Sequence, residues 1–546
     1  MKSKLFYFIF FLFAHSCTEP NEEIVPEKYL NFTQFIIDGQ NTTSATGANL
    51  NPVINIFFSE PVDSKTITEA LTLTGNNSQN IKLETSLSNK DSILTIQFNP
   101  SLQPLTIYNL AINNKLKSKT NLTLFSNIEA SISTGIDNTN KFPLISDEAL
   151  LTKIQQQTFK YFWDFGHPVS GMARERNTSG DLVTSGGTGF GIMTIIVGIE
   201  RGFITRQQGL QRISMIADFL LLKADRFHGV FPHWLSGTTG KTIPFSTKDD
   251  GGDLVETSFL LAGLLCASEY FDKSDVAEIQ LKQNIKKIWE TVEWSWYTKD
   301  GSKVLYWHWS PKYNWEMNHQ IKGWNEALIT YILAAASPTH SITKDVYDKG
   351  WASDGKMKNG KSFYGITLPL GPDLGGPLFF EHYTFLGINP TKLKDQYADY
   401  RQQAVNHSKI NFEYCKANPQ RYYGYSQDCW GLTASDTKGG YTAHSPGNDR
   451  GVISPTAALS SMPFTPKESM DALNFFYYKT GDRIFKEYGF VDAFSLHHAW
   501  FADSFLAIDQ GPIMIMIENH RTGLIWNLMM KNMDIKAGLD KLGFTY

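Results

Sequence analysis

Acidic residues crowd two places where a loop runs into an apolar helix, and carboxyl groups at such junctions can carry out acid–base chemistry. The denser group lies in Asp249-Asp250-Gly251-Gly252-Asp253-Leu254-Val255-Glu256-Thr257. Asp253 and Glu256 are three positions apart, which puts them on one face of a helix. The same spacing before an apolar run is typical of a capping pair that only satisfies free backbone N–H groups. Four carboxylates within eight residues exceed that need, so we predict a catalytic role while capping stays an alternative.

The second junction is Ile321-Lys322-Gly323-Trp324-Asn325-Glu326-Ala327. Near the start of a helix, the helix dipole favours the ionised form of Glu326. A proton donor needs the opposite effect, so burial against Trp324 or a nearby negative charge would have to raise its pKa. Asp253 and Glu256 lie too close together to flank a sugar. We therefore expect one of them to act across a cleft from Glu326.

Aromatic and polar side chains near these acids indicate a binding surface for sugars. The segment Tyr306-Trp307-His308-Trp309-Ser310 alternates rings with polar groups, and such rings stack on the apolar faces of sugars. Three further polar segments lie around residues 174–176, 377–383 and 445–451. From this group we predict four substrate-binding residues, for which ion pairing, capping or core packing is the alternative: Arg176, Trp324, His382 and Arg450.

Several other kinds of site are excluded by the motifs that the sequence lacks. The glycine-rich segment 187–191 has no P-loop lysine, and neither HExxH nor GxSxG occurs. Beyond Cys17 the sequence has Cys266, Cys415 and Cys429, which are too few for a disulfide framework and lack the spacing of zinc ligands. The carboxylates therefore remain the best candidates for catalysis.

The elements that must position these residues fall into two halves. All 13 tryptophans lie at or beyond Trp163. Residues 29–137 are rich in Asn, Thr and Ser, and their short alternating runs predict the strands of an Ig-like β-sandwich. From residue 138 onward the apolar period becomes 3.6, which predicts about ten to twelve helices. That number favours a toroid of six helical hairpins, an (α/α)6 barrel, over residues 138–546.

The charge balance limits the partners of the chain. Fifty Lys and Arg residues face 54 Asp and Glu residues, for a formal net charge of -4. Such a chain has no overall positive field, which argues against nucleic acid as a partner. An uncharged polysaccharide or oligosaccharide suits this balance better, and we expect the protein to be a monomer.

The first residues predict export. Lys2 and Lys4 precede an apolar run, Leu5–Ala14, which is about half the ~20 residues that a transmembrane helix needs. Residues 1–17 resemble a bacterial lipoprotein signal, in which the last residue, Cys17, is lipidated; secretion with an incidental cysteine is the alternative. Residues 18–28 are acidic and predict a solvated tether. We expect an exported protein held on the bacterial outer membrane by its lipid.

Several motifs of the helical half occur in the order seen in one known family: DGGDLVET, GWNEALITYILAAASPTH, PLFFEHYTFLGINP, NDRGVISPTAALSSMPFTP and AIDQGPIMIMIENHRTGLIW. They resemble the glycoamylase-like domain of bacterial endo-β-1,2-glucanases, glycoside hydrolase family 144. The first half is similar to bacterial Ig-like domains. The resemblance implies an (α/α)6 barrel and inverting hydrolysis of β-1,2-glucan to short oligosaccharides without a metal or other cofactor. It maps the family's acidic candidates onto Asp253, Glu256 and Glu326.

Two other functions stay open. Polysaccharide lyases also use helical toroids, but their central groups are Tyr, His and Arg, which remove a proton beside a uronate and neutralise its carboxylate. A lipoprotein that binds glycans without cleaving them would need no acid–base pair at all. The concentration of carboxylates favours hydrolysis over both.

Overall fold

A computed structural model describes residues 28–546, so the proposed lipidation site Cys17 lies outside the described residues. The chain divides into two compact units. One comprises the residues up to Ala45 together with 51–102 and 108–132, and the other comprises 46–50, 103–107 and 133–546. No described helix is both long enough and apolar enough to cross a membrane.

The first half of the chain forms two antiparallel sheets. Its strands are β1 (Phe32–Ile37), β2 (Gln40–Asn41), β3 (Ser44–Ala48), β4 (Ile54–Phe58), β5 (Leu71–Gly75), β6 (Lys82–Ser88), β7 (Ile93–Asn99), β8 (Ile107–Ile112) and β9 (Ile128–Thr134), with a short helix α1 (Ile67–Ala70). One sheet has the order β2-β1-β4-β7-β6 and the other β3-β9-β8-β5. In β4 every second residue is buried, because alternate side chains of a strand point to opposite faces. The predicted β-sandwich is confirmed.

The rest of the chain is mainly helical. The helices are α2 (Asp147–Trp163), α3 (Ser185–Glu200), α4 (Arg206–Leu222), α5 (Leu254–Tyr270), α6 (Val276–Glu290), α7 (Leu328–Ala336), α8 (Lys344–Val346), α9 (Phe379–His382), α10 (Tyr400–Ala417), α11 (Pro455–Leu459), α12 (Pro466–Tyr478), α13 (Gly481–Ile484), α14 (Ala507–Arg521), α15 (Leu524–Lys531) and α16 (Met533–Leu542). Short strands in two- and three-stranded sheets lie between them: β10 (Leu182–Thr184), β11 (Trp234–Ser236), β12 (Thr242–Ile243), β13 (Gly252–Asp253), β14 (Leu305–Tyr306), β15 (His308–Trp309), β16 (Gln320–Ile321), β17 (Ser362–Phe363), β18 (Ile366–Thr367), β19 (Ala434–Thr437), β20 (Gly440–Ala443), β21 (Phe485–Lys486), β22 (Gly489–Phe490), β23 (Phe494–Ser495) and β24 (Trp500–Phe501).

Helices buried on almost every side alternate along the chain with helices buried on one face. The inner set is α3, α5, α7, α9, α11 and α14, and the outer set is α2, α4, α6, α8, α10 and α12. Within the inner set α3 packs against α5 and α14, α5 against α7, and α11 against α14. Six outer–inner pairs arranged in this way form the predicted (α/α)6 toroid, and the fold prediction is confirmed.

Two neighbouring helices of the inner set, α3 and α5, pack against each other at glycines. A Cβ atom placed on Gly189 would lie 2.0 Å from the carbonyl oxygen of Phe259, and one on Gly263 would lie 2.2 Å from the carbonyl oxygen of Gly189. The two backbones therefore touch directly. This close approach brings the first turns of α3 and α5, and the acidic residues of α5, to the same end of the barrel.

Candidate active site

Asp253 forms the N-cap of α5. One carboxylate oxygen, Oδ1, accepts hydrogen bonds from the backbone N–H groups of Val255 (3.1 Å) and Glu256 (2.9 Å). The capping interpretation is therefore correct for Asp253. The side chain of Glu256 does not complete a capping box, because its Oε2 accepts a hydrogen bond from the N–H of Gly186, in the first turn of α3, at 2.9 Å.

Two histidines surround the second oxygen of Asp253. Its Oδ2 lies 3.0 Å from His233 Nδ1 and 3.7 Å from His308 Nε2, and the same His308 nitrogen lies 3.2 Å from Asp249 Oδ2. Burial alone would raise the pKa of Asp253, but the hydrogen bond from His233 and the charges of both histidines lower it. Asp253 is fully buried and remains ionised, so it orients His233 and caps the helix rather than touching a substrate.

His233 is a cation beside Glu256. Burial opposes its charge, but the negative charge of Glu256, followed by the hydrogen bond to Asp253, raises the pKa of His233 to about 9. Burial, together with the negative charges of Asp253 and Asp249, raises the pKa of Glu256 above its ordinary value, although the charge of His233 and the N–H of Gly186 oppose this rise. The N-terminus of α3 also favours a negative charge at this position. Glu256 is thus a partly exposed carboxyl group with a raised pKa, beside a cation and a backbone donor that stabilise its ionised form.

Glu326 lies in the turn before α7 and is also partly exposed. Thr384 fixes that turn: its hydroxyl donates a hydrogen bond to the carbonyl of Glu326 (2.8 Å) and accepts one from the N–H of Ile329 (3.1 Å). Burial, together with the negative charges of Glu256 and Asp253, raises the pKa of Glu326 to about 7. Glu326 is therefore a carboxyl group that holds its proton near neutral pH, as a proton donor must.

Tyr383, directly before Thr384, lies among the acidic residues. After burial, the charges of Asp509, Tyr441, Glu256 and Glu326 raise the pKa of its hydroxyl. Tyr383 therefore lies near both the Glu256–Glu326 pair and a second acidic group that contains Asp509.

The second acidic group pairs two buried aspartates. Asp492 and Asp509 contact each other, and burial raises the pKa of Asp492 to about 7 and that of Asp509 well above its ordinary value. The backbone N–H of Asp436 donates to Asp492 Oδ2 at 2.6 Å. Asp436 in turn accepts hydrogen bonds from Ser504 Oγ (2.6 Å) and from Arg176 Nη1 (3.3 Å). Two carboxyl groups in such contact share a proton, because like charges cannot both persist there.

The predicted substrate-binding residues have different surroundings. Arg176 is partly exposed and forms an ion pair with Asp436, and its role in substrate binding stays a prediction. Arg450 is exposed, and after burial its charge lowers the pKa of His444, which does not belong to either acidic group, so the role of Arg450 stays a prediction.

Two of these predictions are contradicted by burial. Trp324 is 5% exposed, and its Nε1 donates to Glu381 Oε1 at 2.7 Å. His382 is 1% exposed, its Nε2 lies 3.0 Å from Ser461 Oγ, and burial lowers its pKa to about 3. Both side chains belong to the helical core, so neither binds substrate.

A ligand set for a cation also exists at the first group. Ligand atoms of His233, Asp249 and Asp253 all lie within 4.8 Å of one another. The hydrogen bonds among the histidines and aspartates already use these atoms, however. The hydrogen bond from His233 to Asp253 instead holds the positive charge of His233 beside Glu256.

Comparisons with known proteins find relatives of both halves of the chain. The Glycoamylase family model matches residues 318–533, and a bacterial Ig-like domain model matches residues 37–134. A solved structure of the endo-β-1,2-glucanase from Chitinophaga pinensis, in complex with sophorotriose and glucose, is 52% identical. The match covers 74% of this chain and 99% of that one, with a TM-score of 0.72.

Two Parabacteroides distasonis proteins are also similar. The solved structure of a β-1,2-glucanase is 36% identical, with 94% of this chain and 73% of that one covered and a TM-score of 0.71. A curated relative, an exo β-1,2-glucooligosaccharide sophorohydrolase acting at the non-reducing end, is 47% identical over 421 residues. That match covers 73% of this chain and 58% of the relative, so the chain spans less than two thirds of the relative's length.

Proposed function

The chain belongs to the glycoamylase-like family of bacterial β-1,2-glucanases, glycoside hydrolase family 144, and on that basis we propose that it hydrolyses β-1,2-linked glucans to short oligosaccharides. Within the structure, one observation supports the proposal most strongly. Two partly exposed carboxyl groups, Glu256 and Glu326, share one end of the barrel in different electrostatic environments. Hydrolysis of a glycosidic bond by an acid and a base needs such a pair.

We propose the two roles from these environments. No cation among residues 28–546 opposes the raised pKa of Glu326, which keeps a proton available for the oxygen of the leaving sugar. The pKa of Glu256 is raised as well, but the cation of His233 and the N–H of Gly186 stabilise its ionised form, which favours it as the group that accepts a proton from water. An attack by water on the face opposite the leaving group inverts the anomeric carbon. Asp253 positions His233 and the first turn of α5 and takes no proton itself.

A product assay tests the proposed activity. The protein is incubated with linear β-1,2-glucan and, separately, with β-1,3-, β-1,4- and α-1,4-glucans and uronate polymers, and the products are separated by chromatography. We expect short oligosaccharides from β-1,2-glucan only. Hydrolysis of α-1,4-glucan but not of β-1,2-glucan would contradict the proposed substrate. Release of an unsaturated product that absorbs ultraviolet light from a uronate polymer would show that the protein is a lyase.

Chemical rescue tests the role of Glu256. Azide can replace a missing general base as nucleophile, so Glu256→Ala should regain activity with azide and form a glycosyl azide. Asp509→Ala is the matched comparison, because Asp509 is a buried acid of the second acidic group that also acts on Tyr383. If azide rescued only Asp509→Ala, the general base would have to be assigned to the Asp492–Asp509 pair instead of Glu256.

We further propose that the protein is exported and attached to the bacterial outer membrane through a lipid on Cys17, and that it acts as a monomer. The cationic start, the apolar run Leu5–Ala14 and the cysteine after it support the first part. Metabolic labelling with a fatty acid should mark the wild type and leave Cys17→Ala unlabelled. Labelling of both proteins would contradict this proposal, and sedimentation of a lipid-free form checks the monomer.

A further inference from the structure

A cavity of about 630 Å³ lies beside Arg176, next to the second acidic group. Two hairpins form its walls, β19–β20 and β23–β24. Its volume falls within the ~300–1,000 Å³ of pockets that bind small molecules. The residues that its chemistry depends on are Arg176, Asp436, Tyr441, Trp500, Phe501 and Ser504.

Aromatic rings give this cavity apolar walls with polar edges. Tyr441 is 46% exposed, and Trp500 and Phe501 are partly exposed. The indole Nε1 of Trp500 has no hydrogen-bond partner among residues 28–546. A ring that offers its face beside free donors suits the apolar face and the hydroxyl groups of a sugar.

The charged groups favour an uncharged ligand. Arg176 donates from Nε to Glu175 (3.0 Å) and from Nη1 to Asp436 (3.3 Å), while no described residue accepts a hydrogen bond from Nη2. The guanidinium charge is thus balanced by the protein, but a donor remains available. An anionic sugar would meet the carboxylates of Asp436 and Asp503 as well. Hydroxyl groups can bond both the free donor and the carboxylate oxygens.

The polar edge is held in place before any ligand arrives. Ser504 and Arg176 donate to the side chain of Asp436, while the backbone of Asp436 is bonded to Asp492. Fixed side chains lose little conformational entropy on binding, which favours affinity.

The cavity lies beside the second acidic group and near Tyr383, on which the proposed catalytic groups also act. Arg176 pairs through its backbone with Leu506, the residue before α14, which carries Asp509. Tyr441 lines the cavity, and its hydroxyl and Asp509 both act electrostatically on Tyr383, as do Glu256 and Glu326. A chain of sugars can therefore extend from the cleft toward Trp500.

We infer that the cavity between the β19–β20 and β23–β24 hairpins is a subsite for one glucosyl unit of the oligosaccharide substrate, with Trp500 and Tyr441 as its aromatic walls. This inference rests on the proposed function. It assigns substrate affinity, rather than bond cleavage, to Tyr441 and Trp500, which lie on hairpins between helices and are distant from Glu326 in the sequence.

Steady-state kinetics on β-1,2-gluco-oligosaccharides test the subsite. Trp500→Ala and Tyr441→Ala should each raise KM about tenfold and change kcat little, because stacking is lost equally before and during the reaction. Trp500→Phe should recover most of the affinity. Tyr364→Ala is the matched control, since Tyr364 is 44% exposed but does not line the cavity, and its KM should equal that of the wild type.

Two results overturn the inference: an unchanged KM in both alanine variants, or a KM that rises as much in Tyr364→Ala. Trp500→Phe and Tyr441→Ala keep the test decisive if Trp500→Ala does not fold. Failure of the proposed function looks different, because the wild type would then release no sugar from the oligosaccharides at all.

Discussion

Glu326→Gln tests the proposed proton donor, because glutamine keeps the shape of the side chain and removes its acidic proton. A positioned general acid contributes about 10²–10⁴-fold to a rate, so we expect kcat on β-1,2-glucan to fall by that factor. In the wild type, kcat/KM should decline as the pH rises through about 7, where Glu326 loses its proton. The variant should lose this decline.

The leaving group separates the two catalytic roles in the same experiment. An aryl glycoside whose phenol leaves without a proton needs no general acid, so Glu326→Gln should lose far less activity on it than on the glucan. Glu256→Gln should lose activity equally on both substrates, since water must still be activated. Equal losses for Glu326→Gln on both substrates would refute its role as the acid.

The structure also predicts how Glu326→Gln changes stability. The pKa of Glu326 is raised from 4.5 to about 7, so its ionisation opposes folding and the cost grows as the pH rises through this range. A shift of this size corresponds to at most about 3 kcal/mol above pH 7, and to less where water reaches the carboxyl group. The variant should therefore be more stable than the wild type at pH 8, with little difference at pH 4. Thermal unfolding at both pH values measures this, and a variant that is less stable at pH 8 would refute the raised pKa.

Three further predictions concern the elements around the site. Thr384→Val removes both hydrogen bonds that fix the turn of Glu326, so it should lower kcat and destabilise the fold by about 1–3 kcal/mol, whereas Thr384→Ser should restore both quantities. Glu381→Ala leaves three buried donors without their acceptor and should lower the free energy of unfolding by about 3–5 kcal/mol in denaturant titrations; a loss below about 1 kcal/mol would contradict the network. Gly189→Ala should reduce the melting temperature strongly because α3 and α5 touch there, while Gly440→Ala, with open space around its Cβ, should not.

The sequence was sufficient to predict the architecture and one part of the site. Periods of 2 and 3.6 are properties of neighbouring residues, so they predicted the sandwich and the toroid. The acids of α5 and the turn before α7 were found because carboxylates next to an apolar helix stand out locally. Burial cannot be obtained in the same way, and Trp324 and His382 therefore appeared to be surface residues although the core encloses them.

Residues that act through distant partners had no such local signal. His233 is 20 positions from Asp253, and Thr384 is 58 from Glu326, so only the closed barrel brings each pair together. Asp492 and Asp436 are 56 positions apart and belong to no acidic run. Asp509 offered a hint, since DQGP at a helix start is unusually polar for a buried segment.

The capping interpretation and the catalytic interpretation of the DGGDLVET segment proved to be compatible. Asp253 caps α5 with one oxygen and holds His233 with the other, and this leaves Glu256 beside a cation and the N-terminus of α3. Glu326, at the start of α7, has burial and two negative neighbours instead. Two glutamates at helix starts, where the dipole alone would ionise both, thus have raised pKa values, and only Glu256 has a cation and a backbone N–H that oppose the rise. A chain with nearly balanced charges can place an acid and a base together because local neighbours, and not net charge, determine each pKa.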